Sequence, residues 1–126
     1  MRVISKSRLK RFWETSGHEV AGGPLQAWYR HVNHKTVAWH SWADVKLAFS
    51  SASIVGSCIV FNIGGNKFRL VTRVLFVSQK VFVLKVMSHT EYDKGKWKVE
   101  CGCFEAPPSP AKKPLSKPKK SKRMGE

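Results

Sequence analysis

Three cations recur along one predicted strand with the spacing that contacts to a phosphate backbone require. Lys67, Arg69 and Arg73 are separated by even numbers of residues, and no acidic residue occurs from position 67 to position 85. Because strand side chains alternate between faces, these three share one face and recur at about 7 Å per two residues. Such a row suits a single nucleic-acid strand, whereas the simpler interpretation is a solvated polar strand face.

A second group follows the last predicted strand and contains side chains that exchange protons. Positions 88–94 hold His89, Glu91, Tyr92 and Lys94. Histidine and glutamate have ordinary pKa values of about 6.5 and 4.3, and tyrosine and lysine of about 10 and 10.4. Beside a row of cations, these groups could serve a phosphodiesterase centre that uses no metal. A polar loop after a strand is the simpler alternative.

The first half of the chain must position these groups through helices, because its apolar residues follow a helical period. A short strand at Val3 and Ile4 is predicted before the first of these helices. Apolar residues then recur at helical spacing in three stretches: Leu9, Phe12 and Trp13; Leu25, Trp28, Tyr29 and Val32; and Trp42, Val45 and Phe49. Ser41 and Asp44 have the spacing of a capping box at the start of the third helix.

The second half changes to the pattern of strands. Residues 58–63, 67–77 and 80–87 are rich in β-branched and aromatic residues, and Gly64, Gly65 and Asn66 suit a hairpin turn. Helices followed by consecutive strands predict an α+β fold, with a small antiparallel sheet and helices packed on one face.

The charge of the chain directs it toward a polyanion. The 126 residues carry 23 Lys and Arg against 8 Asp and Glu, a net charge of +15 with a pI near 10.2. Nucleic acid, an anionic membrane surface and an acidic protein are the partner classes that this excess attracts. Residues 106–126 are rich in Pro and Lys and have almost no large apolar residues, so we expect this tail to be disordered.

Cysteine content and hydropathy predict a soluble intracellular protein. The longest apolar run, at residues 59–63, is far shorter than the roughly 20 residues that span a bilayer, and no secretory signal is visible. Cys58, Cys101 and Cys103 form an odd set that is a poor disulfide framework, so reduced thiols are expected. Neither the cysteines nor the histidines have the spacing of a zinc site, and we expect no metal and no cofactor.

Two blocks of sequence resemble the HigB family of bacterial type II toxins. They are residues 61–70, FNIGGNKFRL, and residues 86–95, VMSHTEYDKG; Arg73 lies between them and MRVIS opens the chain. The resemblance covers roughly residues 1–98, which would form the toxin domain, and leaves 99–126 as an extension and tail. It implies the RelE-like fold, a small antiparallel sheet with helices on one side.

The resemblance also implies an activity. A toxin of this kind is a ribosome-dependent endoribonuclease that cuts mRNA in the ribosomal A site without a metal, by attack of the ribose 2′-hydroxyl on the adjacent phosphate. Its partners would be mRNA, ribosomal RNA and a HigA-type helix-turn-helix antitoxin, in the bacterial cytoplasm and away from membranes. A non-catalytic basic protein that binds RNA or the ribosome is the alternative from another functional class.

By similarity, each candidate residue receives a role. Arg69 and Arg73 would hold and neutralise the scissile phosphate, so Arg73→Ala should abolish toxicity. His89 and Tyr92 would stand at the acid and base positions, with Glu91 orienting His89 or acting as the base. The lysines Lys67, Lys85 and Lys94 would bind the RNA backbone.

Overall fold

The computed structural model of the protein describes residues 1–104, which form five strands and five α-helices. In chain order they are β1 (Arg2–Ile4), α1 (Lys6–Trp13), α2 (Gly22–Val32), α3 (Trp42–Ala48), β2 (Ser53–Val55), β3 (Cys58–Ile63), β4 (Phe68–Leu75), β5 (Lys80–Ser88), α4 (His89–Lys94) and α5 (Trp97–Glu100), with a 3₁₀ turn at Glu19–Ala21 before α2. The tail that the sequence predicts to be disordered lies outside the described residues.

The strands form one sheet in the order β1-β5-β4-β3-β2. The pairs β2–β3, β3–β4 and β4–β5 are antiparallel, whereas β1 pairs with β5 in parallel. β1, at the N-terminus, can pair with β5 in parallel because a long connection separates them. That connection contains α1 to α3 and the strands β2 to β4. The predicted α+β class with a small antiparallel sheet is confirmed, apart from the parallel β1–β5 pair.

Helices α1 to α3 cover one face of this sheet and form the main core with it. Leu9, Leu25 and Val45, one from each helix, are fully buried there. From the strands, Phe61 and Leu70 point into the same core. Removing such side chains from water stabilises the fold by about 1.5 to 3 kcal/mol each, so this face fixes the sheet on which the candidate residues lie.

Two local predictions for the middle of the chain need correction. The sequence pattern missed β2, which pairs Ser53–Val55 with the first half of β3 and is only three residues long. The capping box at α3 is wrong as predicted: no hydrogen bond from the Ser41 side chain caps the helix, and Asp44 Oδ2 accepts the backbone N–H of His40 at 2.8 Å.

The opposite face of the sheet is not an open polar surface. It carries a second, smaller cluster of buried residues: Cys58, Val60, Val71, Met87, Trp97 and Cys103. On β4, Val71 faces the same side as Arg69 and Arg73. Because Val71 is apolar, this side of the sheet must be partly covered by other residues. Residues 95–104 supply this cover, and the expected open row of cations is therefore partly covered.

Cys58 on β3 and Cys103 form a disulfide that ties the end of the described chain to the sheet. The expectation of reduced thiols is wrong for this pair, because the fold returns residues 99–104 to β3 and brings the two cysteines together. Cys101 is free, and burial raises the pKa of its thiol. Within residues 1–104, no helix is both long and apolar enough to cross a membrane.

Candidate active site

The proton-exchanging residues after β5 lie on a short helix, not in a loop. Ser88 caps α4, and its Oγ accepts the backbone N–H of Glu91 at 3.2 Å. Gly95 ends the helix with φ +78°, a left-handed conformation that glycine adopts without strain. The helix therefore begins at His89 and ends at Lys94, and its geometry fixes the relative positions of these six residues.

His89 is anchored at both its backbone and its ring. Its backbone N–H donates to the carbonyl oxygen of Lys67 at 3.0 Å, which ties α4 to the turn between β3 and β4. Its ring Nδ1 lies 3.1 Å from Asp93 Oδ2, one helical turn along. A carboxylate at Nδ1 favours the tautomer whose Nε2 can accept a proton. Asp93, rather than the expected Glu91, is thus the carboxylate that contacts His89.

Tyr92 meets a buried cation from the sheet. The guanidinium carbon of Arg69 lies 5.2 Å from the centre of the Tyr92 ring, within the range of a cation–π contact. Only 8% of Arg69 is exposed, and its Nη1 donates to the backbone carbonyl of Phe68 at 3.1 Å. The structure therefore brings together Arg69 and Tyr92, which the sequence placed in separate blocks.

Tyr92 also stacks on Trp97 of α5. The two ring centres are 5.0 Å apart with an interplanar angle of 16°, and Trp97 Nε1 donates to the backbone carbonyl of Tyr92 at 2.9 Å. Trp97 itself is fully buried in the second cluster. The sequence did not predict this contact, because α5 is only four residues long.

Lys85 reaches the same side of the sheet through an irregularity in β5. Val71 pairs with Lys85 and Thr72 with Val83, so Leu84 is an extra residue in the strand. Lys85 Nζ lies 2.7 Å from Glu100 Oε1 and 3.0 Å from Glu91 Oε2.

Hydrogen bonds to Glu100 and then to Glu91 raise the pKa of Lys85 above its ordinary value. The lysine that the sequence assigned to RNA binding is therefore already engaged by two carboxylates. Glu91, which was expected to orient His89 or to act as the base, contacts Lys85 instead.

Arg73 lies apart from the other candidates. It is four residues beyond Arg69 on β4, which corresponds to about 13 Å along the strand. Its Nη2 donates to Ser57 Oγ at 2.9 Å and to the carbonyl oxygen of Gly102 at 3.1 Å. Because Arg73 is bound at the other end of the second cluster, its catalytic role stays a prediction.

The remaining predicted residues are exposed lysines at the edges of the site. Lys67 is exposed in the β3–β4 turn, beside the backbone of His89, and Lys94 is exposed at the end of α4. Sequence reasoning missed Asp93, Trp97 and Glu100 as neighbours of the candidate residues. The four-residue spacing of His89 and Asp93 was visible, but it indicates contact only once the segment is known to be helical.

The arrangement offers a proton acceptor, a proton donor and a cation at one end of the sheet. His89, oriented by Asp93, can accept a proton; the Tyr92 hydroxyl can donate one; and Arg69 carries a charge beside that ring. Among the described residues, no three His, Cys, Asp or Glu side chains converge as metal ligands.

Comparison of the sequence with known proteins identifies a family. Residues 21–95 match the family profile described as HigB_toxin, RelE-like toxic component of a toxin-antitoxin system. The chain is 56% identical over 34 residues to the mRNA interferase toxin HigB of Escherichia coli (strain K12) and, over the same length, to the mRNA interferase HigB of Shigella flexneri. The aligned segment is 27% of this chain and spans a third of the length of each relative.

Proposed function

The chain belongs to the HigB family, the RelE-like toxic components of toxin-antitoxin systems, and we propose that it is an endoribonuclease that cuts mRNA on the ribosome. The observation that carries the proposal is the contact of buried Arg69 with the ring of Tyr92, next to the His89–Asp93 pair on α4. Similarity to two mRNA interferases over the 34 aligned residues supports the choice of RNA as substrate.

The proposed reaction is a transesterification within the RNA strand. The ribose 2′-hydroxyl attacks the adjacent phosphorus while the bond from phosphorus to the 5′-oxygen breaks. The products are a 2′,3′-cyclic phosphate and a free 5′-hydroxyl. Such a reaction needs a base for the 2′-hydroxyl proton, an acid for the leaving oxygen and a cation for the charge that develops on the phosphate.

His89 is the proposed base and Tyr92 the proposed acid. Asp93 at Nδ1 leaves Nε2 of His89 to take the proton from the 2′-hydroxyl, and the Tyr92 hydroxyl returns a proton to the 5′-oxygen. Glu91 contacts Lys85 rather than His89, so its proposed contribution is to hold that lysine against α4.

Arg69 is the proposed partner of the scissile phosphate. Its guanidinium is held by the Phe68 carbonyl and by the Tyr92 ring, so its position is fixed before the substrate binds. Arg73, about 13 Å along the same strand, would contact a phosphate further along the message. Exposed Lys67 and Lys94 would bind the RNA backbone on either side of His89.

The wider assignment of partners rests on the family. We propose that ribosomal RNA and mRNA bind the excess of positive charge, that a HigA-type helix-turn-helix antitoxin silences the chain, and that it acts in the bacterial cytoplasm. We also propose residues 1–98 as the toxin domain and residues 99–126 as its extension. No metal takes part in the proposed reaction.

Mapping of mRNA 5′ ends after induced expression tests the proposal. Cells that express the chain should show new 5′ ends within translated codons, and cells that express Tyr92→Phe should not. An Arg11→Lys variant is the matched control, because it changes one exposed side chain on the helix-covered face. If the unmutated chain arrests growth and gives no new ends, the protein only binds RNA or the ribosome.

A further inference from the structure

We infer that Trp97 is a positioning residue for Tyr92 and that the segment Trp97–Cys103 is fastened to the sheet to hold it in place. As a statement about RNA cleavage this inference rests on the proposed function. As a statement about the placement of Tyr92 it does not. The segment follows residue 95, where the match to the family profile ends.

Trp97 holds Tyr92 by two different contacts. The indole stacks on the phenol ring, with the ring centres 5.0 Å apart, and the indole Nε1 donates to the Tyr92 carbonyl at 2.9 Å. Trp97 is itself 1% exposed and belongs to the same buried cluster as Val71 and Met87 of the sheet. A half-buried tyrosine therefore rests on a fully buried side chain, and a buried support of this kind is what an acid of fixed position requires.

The far end of the segment is fastened to the turn between β2 and β3. Cys103 is bonded to Cys58. Its carbonyl oxygen accepts the backbone N–H of Ser57 at 2.6 Å and the Ser57 hydroxyl at 3.0 Å. Gly56, with φ +57°, leaves no room for a Cβ beside this carbonyl. The turn and the segment are thus in direct backbone contact.

Two charged side chains of the sheet hold the middle of the segment. Arg73 Nη2 donates to the carbonyl of Gly102, and Lys85 Nζ contacts the carboxylate of Glu100. The segment is therefore attached to β4 and β5 as well as to the β2–β3 turn. Arg73 and Lys85 therefore have a structural role that their place among the predicted RNA-binding cations did not suggest. They hold the segment Trp97–Cys103, on which Tyr92 rests, against the sheet.

The disulfide makes this support sensitive to reduction. A dithiol supplies two electrons and two protons, the Cys58–Cys103 bond breaks into two thiols, and the dithiol closes to its own disulfide. The contacts of Ser57, Arg73 and Lys85 remain, so reduction should loosen Trp97 without releasing it.

Tyrosine labelling tests the placement of Tyr92 in the full chain. The sequence has two tyrosines, so ¹³C-tyrosine gives one ring signal for Tyr92 and one for Tyr29 as an internal reference. Trp97→Phe keeps an aromatic ring but removes the indole N–H, and it should shift the Tyr92 signal and leave that of Tyr29 in place. Trp42→Phe, on the helix-covered face, should leave the Tyr92 signal unchanged. An unchanged Tyr92 signal in Trp97→Phe would overturn the inference.

A double-mutant cycle tests the effect on cleavage. Trp97→Phe should lower kcat about 5- to 10-fold with KM unchanged, the effect of losing one hydrogen bond that positions a reacting group. In a Tyr92→Phe background it should have no further effect, because Trp97 acts through Tyr92. Equal losses in both backgrounds would show a general structural role and contradict the inference.

Reduction gives a second, milder perturbation of the same support. Cys58→Ser, or treatment of the full chain with dithiothreitol, should shift the Tyr92 signal in the same direction as Trp97→Phe but by less. No shift under either condition would refute the part assigned to the disulfide. If the unmutated chain cuts no RNA, the proposed function fails, while the tyrosine spectra still decide whether Trp97 positions Tyr92.

Discussion

The guanidinium of Arg69 and the ring of Tyr92 lie in contact, with 5.2 Å between the guanidinium carbon and the ring centre. Arg69 comes from the middle strand of the sheet and Tyr92 from the helix after the last strand, so the pair joins the two sequence blocks that hold the proposed catalytic residues. A cation over an aromatic ring stabilises by about 0.5 to 2 kcal/mol, the larger values applying where water is excluded, as it is around Arg69. The proposed site thus has a cation in place without any ligand.

Removal of the Tyr92 hydroxyl should lower cleavage activity and leave the stability of the fold nearly unchanged. Tyr92→Phe keeps the ring that contacts Arg69 and Trp97, so we expect the midpoint of thermal unfolding to stay within a few degrees. Loss of a general acid lowers the rate by about 100-fold or more. Cleavage is measured from mRNA 5′ ends on translating ribosomes. Near-normal cleavage by this variant would show that Tyr92 is not the acid.

Arg69→Lys tests whether the shape of the guanidinium matters beyond its charge. Lysine keeps the positive charge but loses the planar group that lies over Tyr92 and bonds the Phe68 carbonyl. Loss of a preorganised charge donor typically lowers the rate about 100- to 1,000-fold, so we expect a large fall in kcat. Arg11→Lys, an exposed change of the same kind on α1, is the control. Equal activity of the two variants would exclude Arg69 from the site.

Asp93→Asn tests the orientation of His89. The amide keeps the size of the side chain but no longer favours a proton on Nδ1, so Nε2 is less often free to accept one. We expect a fall in kcat of about 10- to 100-fold, less than for loss of the base itself. Glu14→Gln, at an exposed helical pair with Lys10, is the matched control. If His89→Ala is fully active, the assignment of both residues is wrong.

The contribution of Lys85 to stability should depend on pH in a defined direction. Its carboxylate partners raise its pKa above the ordinary value of 10.5. A group whose pKa is higher in the folded state stabilises the fold below its unfolded pKa, and this contribution is lost as the pH rises through the folded value. The difference in unfolding free energy between the unmutated chain and Lys85→Met should therefore be larger at pH 8 than well above pH 11. Denaturant titrations at both pH values measure it, and a constant difference would contradict the ion pairs.

Two glycines with the same backbone conformation allow the close contact of the β2–β3 turn to be measured. Gly56 and Gly65 have φ of +57° and +69°, but a Cβ at Gly56 meets the Cys103 carbonyl, whereas nothing lies within 4 Å at Gly65. Gly65→Ala should lower the unfolding free energy by about 1 kcal/mol from backbone strain alone. Gly56→Ala should lower it further and weaken protection of the Ser57 amide from hydrogen exchange. Equal effects of the two changes would show that the C-terminal segment does not press on this turn.

The sequence predicted the layers of the fold because each layer has a local signal. Leu25, Trp28 and Val32 repeat at the period of a helix, and the alternation along β4 correctly assigned Arg69 and Arg73 to one face of the sheet. The bulge at Leu84 could not be predicted in this way, because a bulge exists only relative to the pairing of the neighbouring strand, which the sequence of β5 alone does not show. The same holds for Asp93, whose contact with His89 depends on residues 89–94 forming a helix that their polar composition concealed.

The sequence by itself therefore determined the fold class, the strand face that carries the cations and the two blocks that resemble a toxin family. These follow from periodicity and from residue order, which are properties of short stretches of chain. Only the tertiary structure decided which side chains meet. Arg69 reaches Tyr92, Arg73 is held by Ser57 and Gly102, and Cys58 is bonded to Cys103 45 residues later. The physical reason is that the second apolar cluster must be covered, and the segment that covers it returns from far along the chain.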